Sequence, residues 1–254
     1  MSQGIETKIS RAEQTLRTHR FILHVSTPIL NTLLAILNER VFRRGHTKEE
    51  VPLRVCVGAS NALPEDEGGI PWIATNTDWT IPQARGIAPG NGTLVSAVHT
   101  AVGRLAVVAG KPERPIFDEA VDRFGARHPL FIGDRLDTDI AGAQAAGIDS
   151  VLVLTGVDRP KHVLAAPTTS RPTFIVGDLR ELHEPYPETI VDGDVTTVGD
   201  ASVRIDGPDV RILRTGERPV DLVRAGAAAI WATGRAIYGF RVPERLYADP
   251  FHRP

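Results

Sequence analysis

A disulfide framework is excluded at once, because the 254-residue chain contains one cysteine, Cys56. A cysteine-based zinc cluster is excluded with it. Cys56 sits in the apolar run Val55-Cys56-Val57, which reads as a buried strand. The longest apolar-rich stretch, Ile29 to Leu37, is interrupted by Asn31 and Thr32 and is far too short to cross a bilayer. Lys8 and Arg11 near the start are followed by no apolar signal core, so a cytoplasmic location is expected. Charge of one sign is lacking too: 29 Lys and Arg face 31 Asp and Glu, a net of -2. Nothing in that balance argues for a nucleic-acid or membrane partner. No GxxxxGK[ST] phosphate loop occurs, and the eight histidines are scattered without metal-binding spacing. Trp72, Trp79 and Trp231 read as packing residues. One absence is local. All 17 aspartates lie at position 66 or later, which suggests two compositions joined in one chain.

What is present is ordinary for a globular protein, with 42% hydrophobic and 24% charged residues. Residues 1–20 are polar and could form a solvated helix, and Phe21 to Val25 reads as a strand. Pro28 opens a helical pattern through Ile29, Leu33 and Leu37 that ends in the basic turn Arg43-Arg44-Gly45. Val51 to Gly58 is a further strand, and the acidic loop Glu65 to Gly69 marks the composition boundary. Beyond it, strands and helices alternate. Strands are expected over Ile70 to Thr75, Leu105 to Ala109, Pro129 to Ile132 and Val151 to Leu154. Helices are expected over about 94–103, 115–124 and Asp139 to Ala146, with a Pro/Gly-rich loop over Pro82 to Gly92. Successive βα units of this kind make a parallel sheet with helices on both faces. The tail carries two short strand-like runs and a helix near 219–236.

The chemistry concentrates at strand ends. Phe131-Ile132-Gly133-Asp134-Arg135-Leu136-Asp137-Thr138-Asp139-Ile140 delivers Gly133 and Asp134 at the carboxyl end of an apolar strand, where open α/β sheets bind ligands. Carboxylates clustered on such a loop suit Mg²⁺ with its waters. Taken alone, the run also fits a solvated turn with Asp139 as a helix cap. Ala109-Gly110-Lys111-Pro112 ends another apolar strand, and Lys111 there can neutralise a phosphate. By itself it equally reads as a surface lysine.

Together these motifs resemble the haloacid dehalogenase superfamily, in the NagD-like branch whose members carry a large inserted cap. Trp72-Ile73-Ala74-Thr75-Asn76-Thr77-Asp78, Gly86-Ile87-Ala88-Pro89-Gly90-Asn91-Gly92, Gly110-Lys111-Pro112, the Gly133 to Ile140 run, Ala145-Ala146-Gly147 and Leu154-Thr155-Gly156-Val157 follow in the family's order. The tail, with Leu222-Val223-Arg224-Ala225 and Ala229-Ile230-Trp231, is similar to actinobacterial members described as glycerol-3-phosphate phosphatases. The resemblance implies an α/β fold, a Rossmann-like parallel sheet with helices on both faces, incomplete here, plus a small C-terminal α+β extension. It also implies an aspartate nucleophile, Lys111 as the phosphate lysine, and Asp134 with Asp139 as Mg²⁺ ligands. Asn76 becomes a candidate substrate-binding residue, and the substrate a small phosphorylated metabolite. Oligomeric state is left open.

The implied nucleophile motif, DxD on an early strand, has no counterpart, since no aspartate precedes Asp66. Nor do the 15 residues between Ser60 and Asn76 leave room for a cap. Asp192-Gly193-Asp194-Val195-Thr196 copies DxDxT superficially, but an Asp-Gly hairpin turn explains it more simply. Ser60 could imitate a phosphate-binding serine only by its surroundings. Residues 27–64 instead resemble the stretch of MoxR-type AAA+ ATPases from just after Walker B to sensor 1, with Asn61 at the sensor-1 position. Without Walker A or the Walker B acids, ATP hydrolysis is not expected. The division that follows is an AAA+-like fragment over 1–68, an incomplete haloacid dehalogenase-like core over 69–188 and an extension over 189–254. The functional expectation is a Mg²⁺-dependent phosphatase of a small phosphate monoester, impaired by the missing nucleophile and cap. Its alternatives are a non-catalytic Mg²⁺- or phosphate-binding protein and an AAA+-related accessory protein. Loss of the nucleophile strand should also leave an unpaired sheet edge, unless Val51 to Gly58 fills it.

Overall fold

The computed structural model describes residues 72–251. The elements expected before Trp72, including the helix from Pro28 and the strand Val51 to Gly58, lie outside the described residues. Residues 73–95 and 107–251 form one unit, while Trp72 and residues 96–106 group with another.

Strand β1 (Ile73–Ala74) runs parallel to β4 (Val107–Val108). Between them come the hairpin β2 (Thr80–Gln83) and β3 (Gly86–Pro89), then helix α1 (Asn91–Val102). The sequence predicts a loop here. Proline hides the ribbon: Pro82 and Pro89 are tolerated because a two-stranded ribbon leaves half of its backbone N–H groups unpaired.

Helix α2 (Pro115–Phe124) matches expectation, with proline at its start and Gly125 at φ 57° closing it. It buries Phe117, whose ring lies 4.8 Å from that of Phe131. A parallel three-stranded sheet follows in the order β5-β6-β7: β5 (Leu130–Gly133), β6 (Asp149–Val153) and β7 (Phe174–Val176). Helices α3 (Ala141–Ala146) and α4 (Pro160–Leu164) lie in the β5–β6 and β6–β7 crossovers. Along β6, Leu152 packs on one face and Val151 with Val153 on the other, all buried. A strand covered on both faces reads as a continuous apolar run, which is why this one was visible in the sequence.

The tail holds four strands rather than two. β8 (Thr189–Asp192), β9 (Val195–Val198), β10 (Ala201–Asp206) and β11 (Asp209–Thr215) form an antiparallel meander. Two-residue loops connect them, each opening on a glycine with positive φ: Gly193, Gly199 and Gly207. Arginines and aspartates on the outer face conceal the alternation, since only small inward residues such as Val198, Ala201, Val203 and Val210 are buried. Helix α5 (Pro219–Ala232) covers that face, and α6 (Glu244–Tyr247) adds Leu246. One hydrophobic cluster runs continuously from Leu136 and Leu152 through Ile175 to Val203, Ile230 and Leu246, so the extension and the parallel sheet share a core.

Among the described residues nothing pairs with β5 opposite β6. Leu130 and Ile132 are 48% and 42% exposed, and Val107 of β4 is 68% exposed. Among the described residues no helix is long and apolar enough to cross a membrane.

Candidate functional site

Lys111 follows β4 directly. Ala109 donates to the Ala74 carbonyl at 2.8 Å, and Thr77 donates to the Lys111 carbonyl at 3.1 Å, so the lysine backbone is tied to the β1 loop. A side chain at Gly110 would overlap the Thr75 carbonyl oxygen, which fixes glycine there. Asp134 follows β5. Beyond it the chain makes a wide turn over Leu136–Ile140, where Ile140 donates back to the Arg135 carbonyl at 3.0 Å. That turn folds the Asp139 carboxylate onto the strand end. Its Oδ2 accepts the backbone N–H groups of Asp134 and Arg135 at 3.0 and 3.1 Å, and its Oδ1 accepts Lys111 Nζ at 2.6 Å.

The structure therefore brings together Lys111, Asp134 and Asp139. Asp139 is 2% exposed with both oxygens engaged. Asp134 accepts the Val157 N–H at 2.9 Å through Oδ2, and its Oδ1 accepts nothing among the described residues. Burial disfavours the charge on Lys111, but the hydrogen bond and charge of Asp139, helped by Asp78, hold its pKa above the ordinary lysine value. The ammonium is thus charged throughout the neutral range. Burial likewise pushes the Asp158 carboxyl up, partly opposed by the Leu136 N–H at 2.5 Å and by His162.

Two cations, Lys111 and Arg135, face four carboxylates, Asp78, Asp137, Asp139 and Asp158, and Asp134 is tied to Asp139 through its own backbone N–H. Such a donor set suits a hard divalent cation, which Mg²⁺ sites commonly hold through one or two carboxylates, the remaining positions going to water and phosphate. The Asp134 Oδ1, which accepts no hydrogen bond among the described residues, is available as one ligand. No group of three His, Cys, Asp or Glu side chains among the described residues closes around a metal unaided.

Asn76 lies in the same loop, but its side-chain oxygen accepts the Asp78 N–H at 3.1 Å, holding the turn. Sequence reasoning passed over Asp78 as a site residue. It accepts Thr138 Oγ1 at 2.5 Å and lies 3.3 Å from Lys111 Nζ and 3.5 Å from Arg135 Nε. Its place in the Thr75-Asn76-Thr77-Asp78 motif was the available signal. Gly90 and Gly92 are explained with it, because a side chain at either would strike the backbone of Thr77 or Asp78. Asp192 and Asp194 sit in the exposed β8–β9 turn, where Asp194 pairs with Arg204 at 3.2 Å. The hairpin reading of that motif holds.

Gly133 gives a direct check of this geometry. A side chain there would fall on the Asp139 carboxylate, so Gly133→Ala must displace it. A loss of about 1–3 kcal/mol in unfolding free energy is expected, the usual cost of overpacking. Urea denaturation measures it, and an unchanged midpoint would contradict the close approach.

A loop after β5 bearing Asp134 and Asp139, with Lys111 from the end of β4, is an arrangement similar to that of haloacid dehalogenase-like hydrolases. Residues 108–182 match the family model described as HAD-hydrolase-like, and residues 13–71 match the MoxR domain of MoxR-vWA-beta-propeller ternary systems. Both resemblances seen in the sequence are therefore matched by a family model, in separate stretches of the chain. The D-glycerol 3-phosphate phosphatase of Mycobacterium tuberculosis is 42% identical over 227 residues, covering 83% of this chain and 62% of that protein. The dihydroxyacetone phosphatase of Corynebacterium glutamicum is 32% identical over 128 residues, covering 50% and 46%. The crystal structure of a glycerol phosphate phosphatase from M. tuberculosis in complex with magnesium superposes with a TM-score of 0.57 at 37% identity, covering 70% of this chain and 52% of that one. The chain thus spans between 46% and 62% of the length of these relatives.

Proposed function

We propose that residues 73–251 carry a Mg²⁺-dependent phosphatase site for a small phosphate monoester, with hydrolysis impaired for want of a free nucleophile. The convergence of Lys111 Nζ on Asp139 at 2.6 Å, beside the half-free Asp134, carries this reading. Relatives named D-glycerol 3-phosphate phosphatase and dihydroxyacetone phosphatase point to a three-carbon substrate class. A cation held by Asp134 would screen the phosphoryl oxygens. Lys111 donates to one of those oxygens, while Asp139 orients the ammonium and ties the Asp134 and Arg135 amides into the loop.

Covalent hydrolysis needs a carboxylate free to attack phosphorus. Both oxygens of Asp139 and both of Asp78 already face donors, and the one free oxygen of Asp134 is the metal ligand in this reading. That saturation favours, as the second reading, a site that binds Mg²⁺ and phosphate without turnover. Calorimetric titration with inorganic phosphate in Mg²⁺, run beside phosphate release from 4-nitrophenyl phosphate, separates the two. Mg²⁺-dependent binding with slow release that Asp134→Ala abolishes is the expected result. Binding without any release leaves the non-catalytic reading, and no phosphate binding overturns both.

A further inference from the structure

We infer that Asp78 is a positioning residue whose negative charge aims the Lys111 ammonium at bound phosphate. The inference rests on the phosphate-site reading above and adds a residue to it. Asp78 has a fixed place: Asn76 Oδ1 accepts its N–H at 3.1 Å, and its carbonyl accepts Gly92 N–H at 2.8 Å. Its side chain is 18% exposed and points into the cluster. Oδ1 is held by Thr138 Oγ1 at 2.5 Å, with Arg135 Nε at 3.5 Å, which leaves Oδ2 to face Lys111 Nζ at 3.3 Å.

Lys111 has four methylenes of freedom and three donors. Asp139 alone, at 2.6 Å, would anchor one donor and let the ammonium swing around that contact. A second carboxylate from another element fixes a second direction, so the third donor has one place left to point. The Asp78–Thr138 bond serves the same end from the other side, because it locks the β1 loop against the turn that carries Asp139. Arg135 repeats the tie, donating to the Thr80 hydroxyl and carbonyl at 3.2 and 3.3 Å. An acid beside an anion site is unfavourable by plain Coulomb repulsion. Fixing the lysine outweighs that repulsion on this inference.

This opposition gives the test its sign. Asp78→Asn keeps the oxygen that accepts from Thr138 and removes only the charge. Repulsion alone predicts tighter phosphate binding in the variant, whereas positioning predicts weaker binding. With inorganic phosphate and Mg²⁺, calorimetry is expected to show about tenfold weaker binding, the loss of a charge-assisted contact. The Lys111 ammonium signal in ¹H–¹⁵N spectra of the cold protein, visible when its protons are held, should broaden in step. Asp78→Glu, which restores the charge, should recover part of the affinity. Equal or tighter binding by Asp78→Asn overturns the inference and leaves the phosphate site standing. Absence of phosphate binding by the unaltered chain overturns both. Should Asp78→Asn fail to fold, Thr138→Val makes the comparison by releasing the Asp78 carboxylate at constant charge, and unchanged affinity there is equally fatal.

Discussion

Lys111→Met should weaken phosphate binding in the presence of Mg²⁺ by about a hundredfold. The ammonium is the cation closest to Asp139, at 2.6 Å, and it also faces Asp78 at 3.3 Å. Its removal deletes a hydrogen bond to a charged ligand, worth about 1.5–3 kcal/mol. That is roughly a 10- to 150-fold loss of affinity. Two carboxylates are unmasked beside the anion at the same time, so the upper end of the range applies. Methionine keeps the stem length, which separates lost charge from lost packing. Lys111→Arg should rescue little, because a planar fork cannot replace a point charge with three rotatable donors. A variant that binds phosphate within about threefold of the parent chain would remove Lys111 from the site, a threefold change being only about 0.7 kcal/mol. Stability should fall less, since the lysine is 28% exposed and its ion pairs are partly screened.

Arg224→Met is expected to cost far more in stability than in binding. Arg224 lies on α5, 4% exposed, and its guanidinium meets four groups. It donates to the Ile175 carbonyl of β7 at 2.7 Å, to Asp221 at 2.6 Å and to Glu181 at 3.0 Å, and it stacks 4.4 Å from the Tyr186 ring centre. Glu181 in turn accepts the Gly177 N–H at 3.0 Å and pairs with Arg218. Removing the arginine strands the Asp221 carboxylate, itself 3% exposed, without its partner. Breaking a buried pair from one side costs about 3–5 kcal/mol. In a domain of this size that lowers Tm by about 10 °C. Chemical denaturation of Arg224→Met and of Arg224→Met with Asp221→Asn measures it. The double variant should recover part of the loss, because the uncompensated charge is then gone. A single-variant cost below about 1 kcal/mol would show that water reaches the pair and screens it.

This arginine cluster also explains how the tail joins the parallel sheet. The sequence places a helix near 219–236 but treats residues 189–254 as an extension. The structure lays α5 against both the antiparallel meander and β7, with Arg224 bonded to the Ile175 carbonyl and Ile230 in the shared core. No periodicity within the tail announces that partner.

Locally coded features were determined by the sequence alone. Buried β6 is apolar at every position from Val151 to Leu154, and helix α2 is bracketed by Pro115 and Gly125. Lys111 and Asp134 each follow an apolar strand, so their placement at strand ends needed nothing beyond residue order. The first 65 residues contain no aspartate, so no early aspartate can stand at the nucleophile position. Only the tertiary structure decided which acids are free. Asp139 reads in sequence as a metal ligand or a cap, yet folding spends its two oxygens on Lys111 and two backbone amides. Asp78 meets Thr138 across 60 residues, and Arg135 meets Thr80 across 55. Contacts at such separations leave no local trace, because they arise where the loop after β1 meets the turn after β5 in the folded chain. The chemistry of the site could be read from the order of its residues; the direction in which Lys111 points could not.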